Sequence, residues 1–137
     1  MSGKAFIDTN IFVYAALKPL NNLDKWQIAG ALLNSSRSFV ISTQVLNEFS
    51  SVLLRQKVTD DNIKSRVESI AADSTVTVVT LETIRSAWDV RERHKFSYWD
   101  SLIVASAIQA GCTTLYTEDL NHGMILDKKL HIVNPFK

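Results

Sequence analysis

Four acidic residues stand in stretches where an acid is hard to place: Asp8 in AFIDTNIFVY, Glu48 in TQVLNEFSSVLL, Asp100 in SYWDSLIVASAI and Asp119 in LYTEDLNHGM. Burying a lone carboxylate costs several kcal/mol unless it is paired or bound to a cation, about the worth of two or three core side chains. Four carboxylates brought together repel one another and raise each other's pKa until divalent cations settle the charge. An oxygen-only set of this kind suits Mg²⁺ or Mn²⁺, which take a few carboxylates and keep waters for a substrate. Each acid also has an ordinary explanation. Asp8 can cap a following helix. Glu48 can reach solvent from a helix edge. Asp100 can be the third residue of a capping box opened by Ser97, and Asp119 can be a turn residue. A shared site is favoured because all four would have to be coincidences at once.

The elements that would position these acids alternate in kind. KAFID (4–8) reads as a short buried strand, followed by an apolar helical run, IFVYAAL, capped by Thr9 or Asn10 and stopped at Pro19. LDKWQIAGALLN has helical spacing, FVIS (39–42) is a second strand, and TQVLNEFSSVLLRQ carries an apolar stripe. Thr59 with Asp60 and Asp61 behind it marks another helix start. TVTVVT (75–80) is a third strand, LETIRSAWDVRERH an amphipathic helix, and YWDSLIVASAIQAG a helix ending at Gly111. TTLYT and HIVNP supply a fourth and a fifth strand. Short strands apolar on both faces, alternating with helices, predict a parallel sheet covered on two sides. Ligands of such sheets collect beyond the carboxyl ends of the strands, and there Asp8 and Asp119 fall.

Composition narrows the class. The 137 residues are expected to form a single domain (1–137), large enough to bury roughly two-thirds of the unfolded surface. With 46% hydrophobic and 21% charged residues, and no run approaching a membrane span, a soluble cytoplasmic protein is expected. The single cysteine, Cys112, excludes an internal disulfide, and His94, His122 and His131 lie too far apart to suggest zinc. A net charge of +1 announces no nucleic-acid partner. Local basic clusters do exist, at RERHK (91–95) and at Lys128 and Lys129, and solvated surface is the simpler account of both.

DTN after the first strand, NE in the helix after the second, WD opening a late helix and TED after the next strand together resemble the PIN-domain ribonucleases. Within them the chain looks most like the VapC toxins of bacterial toxin–antitoxin pairs. The resemblance runs from about Ala5 to Pro135 and is carried especially by FSYWDSLIVASA and LYTEDLNHGM. It implies a PIN-like three-layer α/β/α sandwich with a central, mostly parallel sheet of four to five strands. It also implies that Asp8, Glu48, Asp100 and Asp119 are the acidic quartet around Mg²⁺ or Mn²⁺, Glu48 serving as ligand or as proton acceptor. Thr9 and Asn10 would stand beside the first acid, with Asn10 orienting it. Thr117 would support the last acid, and Glu118, just before it, would be the second candidate to approach the metal, ranked behind Asp119. The expected activity is hydrolysis of RNA to 5′-phosphate and 3′-hydroxyl ends, with Arg91, Arg93, Lys95, Lys128 and Lys129 lining the approach. The expected partners are RNA, a cognate antitoxin and a second copy of the chain. Trp26, Phe49 and Leu53 could face the antitoxin, although their helical spacing favours a place in the core.

Two rivals remain in view. A nuclease acting on DNA, or a metal-dependent phosphatase, would use the same four carboxylates. A non-catalytic α/β binding module would use them as helix caps or as a structural metal site. With four glycines, none in a phosphate-binding pattern, a nucleotide-binding module has no support.

Overall fold

The computed structural model describes residues 3–18, 22–35 and 38–137, so the expected stop at Pro19 lies outside the described residues. Strand β1 (Lys4–Ile7) is followed by helices α1 (Thr9–Ala16) and α2 (Leu23–Leu33), then β2 (Phe39–Ser42), α3 (Thr43–Arg55) and α4 (Asp60–Asp73). Next come β3 (Ser74–Thr77), α5 (Leu81–His94), α6 (Tyr98–Gln109), β4 (Cys112–Tyr116), β5 (Ile125–Leu126) and β6 (Leu130–Val133). The sheet runs β3-β2-β1-β4-β6-β5. All neighbours are parallel except β5 and β6.

The expected four or five strands are thus six among the described residues, the sixth being the two-residue β5. It carries too little sequence to show a period. It exists because positive-φ residues at Asp127 and Lys128 turn the chain back onto β6. The third strand is shorter than its β-branched run suggests. It ends at Thr77, opposite Ser42, where its partner β2 gives way to α3. Val78 then has no strand to pair with and stands 63% exposed.

Local chemistry accounts for the helix ends. Thr59 accepts a bond from the Asn62 backbone N–H, and Thr80 forms a reciprocal capping box with Thr83. Ser97 accepts from the Asp100 N–H at the start of α6. Gly111, at φ 75°, takes the left-handed turn after α6 that a side chain would resist.

Helices α1 to α4 pack with one another, and α5 packs on α6. Right-handed crossovers put the first group and the second on opposite faces of the sheet. Helix α6 is buried from Ser101 to Ala107, all round, which explains its lack of a polar face. The core is formed by Phe6, Ile7, Ile41, Leu115 and Ile132 of the strands with Ile11, Val45, Phe49, Leu53 and Val104 of the helices. Phe49 and Leu53 are therefore core residues, as their spacing indicates, whereas Trp26 is half-buried outside the core and lines a cavity on α2. Among the described residues no helix is long and apolar enough to cross a membrane.

This topology has one consequence for the site. From β1 the chain moves outward through β2 and β3, then returns to the other side of β1 with β4. The loops leaving β1 and β4 diverge at that reversal and open a crevice beyond their carboxyl ends.

Candidate active site

Asp8 is the first residue beyond β1. Its backbone N–H donates to the Tyr116 carbonyl at 3.0 Å, tying the exits of β1 and β4 together. The residue is 4% exposed and is the N-cap of α1: Oδ1 accepts from the Thr9 N–H at 2.7 Å. The capping role considered from sequence is real, yet it occupies one oxygen only. Oδ2 accepts from the Thr117 hydroxyl at 2.8 Å. Burial pushes the Asp8 carboxyl up to about 7 even so, against the two hydrogen bonds and helped by the charges of Asp119 and Glu48.

The other acids converge on it. One carboxylate oxygen each from Asp8, Asp100 and Asp119 lie within 4.8 Å of one another. Burial raises the pKa of Asp100, opposed by Ser97. Burial raises Asp119 too, reinforced by Asp100 and Glu118 and opposed by Asn10. Glu48, half-buried on α3, lines the same cleft outside that group of three. Its Oε1 accepts from the Thr9 hydroxyl and from Gln44 Nε2, both at 3.2 Å. Burial raises its pKa as well, with Asp100 and Asp119 adding to the rise. All four shifts run one way because burial is the largest cause of each, and among the described residues Arg55 is the one basic residue lining the cleft. The cleft, of about 480 Å³, also includes Asn10, Tyr14, Ser51 and Trp99.

The neighbouring residues divide between this site and other tasks. Thr117, buried, gives its hydroxyl proton to Asp8 and accepts the Asp119 N–H at 3.1 Å, so one hydroxyl sets two acids. Asn10 was expected to orient Asp8. Its Nδ2 instead donates to Asp119 Oδ2 at 3.2 Å, since both Asp8 oxygens already have donors. Glu118 turns out of the cleft: Lys25 on α2 holds its Oε2 at 2.5 Å and the Tyr14 hydroxyl donates to its Oε1 at 2.7 Å. Of the two adjacent acids, Asp119 is the one whose carboxylate meets Asp8 and Asp100.

The basic residues do not form one face. Arg93 pairs with Asp127 in the β5–β6 turn, where Lys128 and Lys129 also lie. That turn enters the amino end of β6, whereas the acids lie beyond the carboxyl ends of β1 and β4. Arg93, Lys128 and Lys129 are thus outside the cleft, while Arg91 and Lys95 line a separate cavity with Trp88 and Glu92.

Sequence reasoning missed Gln44, Arg55 and Trp99. Gln44 had a signal, four residues before Glu48 on one helix face. It is buried and also donates to the Trp99 carbonyl at 3.1 Å, bridging α3 to the start of α6. Arg55 and Trp99 gave none, since exposed residues enter a cleft only through the fold.

The donor set is hard oxygen throughout, three carboxylates converge within 4.8 Å, and the Asn10 Oδ1 is buried without a partner among the described residues. These residues fit a small divalent cation such as Mg²⁺ or Mn²⁺.

No match is found among curated proteins. Among solved structures the chain is similar to VapC20 of Mycobacterium tuberculosis, described as a sarcin–ricin loop cleaving toxin: 20% identity and a TM-score of 0.69 over 85% of this chain and 90% of that one. It is similar to a chain of a toxin–antitoxin complex from Klebsiella pneumoniae, at 17% identity and a TM-score of 0.70, over 96% and 98% of the two chains. VapBC2 of Rickettsia felis, bound to a DNA fragment from their promoter, gives 21% identity and a TM-score of 0.66 over 95% and 98%. At such identities the likeness is one of fold. In sequence, the family model described as PIN domain matches residues 5–123. That match spans most of the chain, which belongs to the PIN domain family.

Proposed function

We propose that this protein is a metal-dependent endoribonuclease, the toxin of a VapBC-type toxin–antitoxin pair. The observation that carries the reading is the meeting of Asp8, Asp100 and Asp119, from three distant segments, within 4.8 Å at the sheet's reversal point. Asp8, Asp100 and Asp119 would hold a Mg²⁺ or Mn²⁺ ion, which when bound neutralises phosphate charge and makes a water more acidic. Thr117 and the Thr9 N–H fix both Asp8 oxygens, so that carboxylate enters the reaction already oriented. Asn10 restrains Asp119 in the same way. Glu48 accepts the proton of the attacking water at Oε2, because Oε1 already takes bonds from Thr9 and Gln44. The water oxygen bonds to phosphorus while the bond to the 3′-oxygen breaks, leaving 5′-phosphate and 3′-hydroxyl ends. Arg55 at the rim provides a positive charge for a non-bridging phosphate oxygen.

Support for RNA comes from the resemblance of the four motifs and from the sarcin–ricin loop cleavage ascribed to the Mycobacterium tuberculosis neighbour. Support for an antitoxin comes from neighbours seen in toxin–antitoxin complexes. A larger cleft of about 610 Å³, lined by Phe12, Trp26, Phe49 and Ile70 of α1 to α4, suits an apolar segment of such a partner. A homodimer belongs to the same reading.

The test is incubation of a mixed RNA pool with Mg²⁺, with Mn²⁺ and with EDTA, followed by end analysis. The proposal expects cleavage with either metal, none in EDTA, and 5′-phosphate ends. Cyclic phosphate ends, or cleavage indifferent to EDTA, would contradict it. Equal cutting of single-stranded DNA, or rapid turnover of a small phosphate ester, would favour the rival enzymes.

A further inference from the structure

Three aromatic residues form a row that starts inside the acid cleft. Trp99 lines the cleft, one residue before Asp100, and stands 61% exposed. Tyr98 meets it edge-on, with ring centroids 5.2 Å apart. Trp88 lies 5.1 Å from Tyr98 and is 57% exposed. Trp88 also lines a cavity of about 420 Å³ with Arg91, Glu92 and Lys95. Arg91 uses one donor on the Phe96 carbonyl at 2.6 Å, and Lys95 has no ion pair among the described residues. The Trp99 backbone is held by Gln44, so its indole is presented from a fixed base.

Two indoles this exposed are costly to leave in water, and their setting indicates what covers them. One end of the row is the cleft that would hold a scissile phosphate. The other carries two cations against one acid. A polyanion bearing flat apolar groups matches both ends. Bases within a duplex are stacked on each other and cannot lie on a side chain, whereas unpaired bases can.

We propose that Trp99 and Trp88 are a stacking platform for bases next to the cut, with Arg91 and Lys95 on the adjoining backbone. This rests on the ribonuclease reading above and adds to it the residues that hold the bases beside the cut. Arg93, Lys128 and Lys129 have no part in the track.

The test measures binding by fluorescence anisotropy of a short labelled oligouridine and of a short RNA duplex, in calcium, with strand integrity read on a gel. Wild type is compared with Trp88→Ala, Trp99→Ala and the two Phe variants, all checked by circular dichroism. Each Ala variant is expected to bind oligouridine about ten-fold more weakly, equivalent to about 1.4 kcal/mol. The Phe variants keep most of the affinity, and binding of the duplex changes less than about two-fold, since stacking is confined to unpaired bases. Ala variants that bind oligouridine as wild type does overturn the platform and leave the nuclease reading standing. So does a Trp88→Ala change that splits a dimer into monomers by light scattering without altering RNA affinity per protomer, because the row is then a protein interface. A wild type that binds no RNA brings down both readings. Binding that depends on the tryptophans, in a protein that cuts no RNA, supports the platform and removes the nuclease alone.

Discussion

The Asp8 carboxylate has a donor on each oxygen and is still pushed up to about 7, which makes it a stored cost in the metal-free protein. Between about pH 4 and pH 7 the folded chain holds a proton on Asp8 that the unfolded chain has released. Stability contributed through this group is therefore greatest at the acid end and falls as pH rises through that window. Asp8→Asn keeps the cap and removes the charge. In EDTA at pH 7.5 the variant is expected to melt several degrees above wild type, with the gain fading towards pH 4. A variant less stable than wild type at pH 7.5 would show that Asp8 is a structural residue. Thr117 tests the opposite tendency, since its hydroxyl serves both Asp8 and Asp119. Thr117→Val should weaken Mn²⁺ binding, followed by calorimetry, about ten-fold or more, and Thr117→Ser should recover most of it. Equal affinity in all three proteins would remove Thr117 from the site.

At the scale of elements, the site is carried by strand exits and helix starts. The run TTLYT indicated β4, and β4 delivers Thr117 and Asp119 to the crevice while Leu115, fully buried, anchors it to the core. Leu115→Ala should cost about 2–5 kcal/mol and lower the melting temperature by roughly ten degrees. A loss below 1 kcal/mol would mean that β4 is not the rigid support described. The bounds of α5 and β2 were legible from an amphipathic period and a short apolar run, although Thr80, the cap of α5, was read as strand. Val78 and Val79 were misread as strand, since β propensity cannot tell where a partner strand ends. The two-residue β5 was invisible for the same reason, being defined by its pairing. Of the site, Asp8, Glu48 and Asp100 could be read because a carboxylate in an apolar run is an anomaly, and Asp119 because it follows the fourth strand. Lys25, which draws Glu118 away, could not be. It sits on an ordinary amphipathic helix and meets Glu118 only through tertiary contact.

At the scale of the molecule, a sheet order that reverses beside β1 brings together acids more than a hundred residues apart in sequence. With a near-neutral net charge, capture of RNA would fall to local features rather than to a global field. The family reading adds a dimer, and light scattering on a gel-filtration column at micromolar concentration should give twice the chain mass. A monomer there would contradict that part. The central claim is that the converging carboxylates make a metal-dependent ribonuclease, and one comparison tests it most directly. Wild type and Asp100→Asn, purified identically and free of antitoxin, are incubated with the same RNA pool in Mn²⁺. The account predicts cleavage by wild type and a loss of at least about a hundred-fold in the variant, whose fold is unchanged. Equal cleavage by both proteins, or none by a folded wild type, would contradict it.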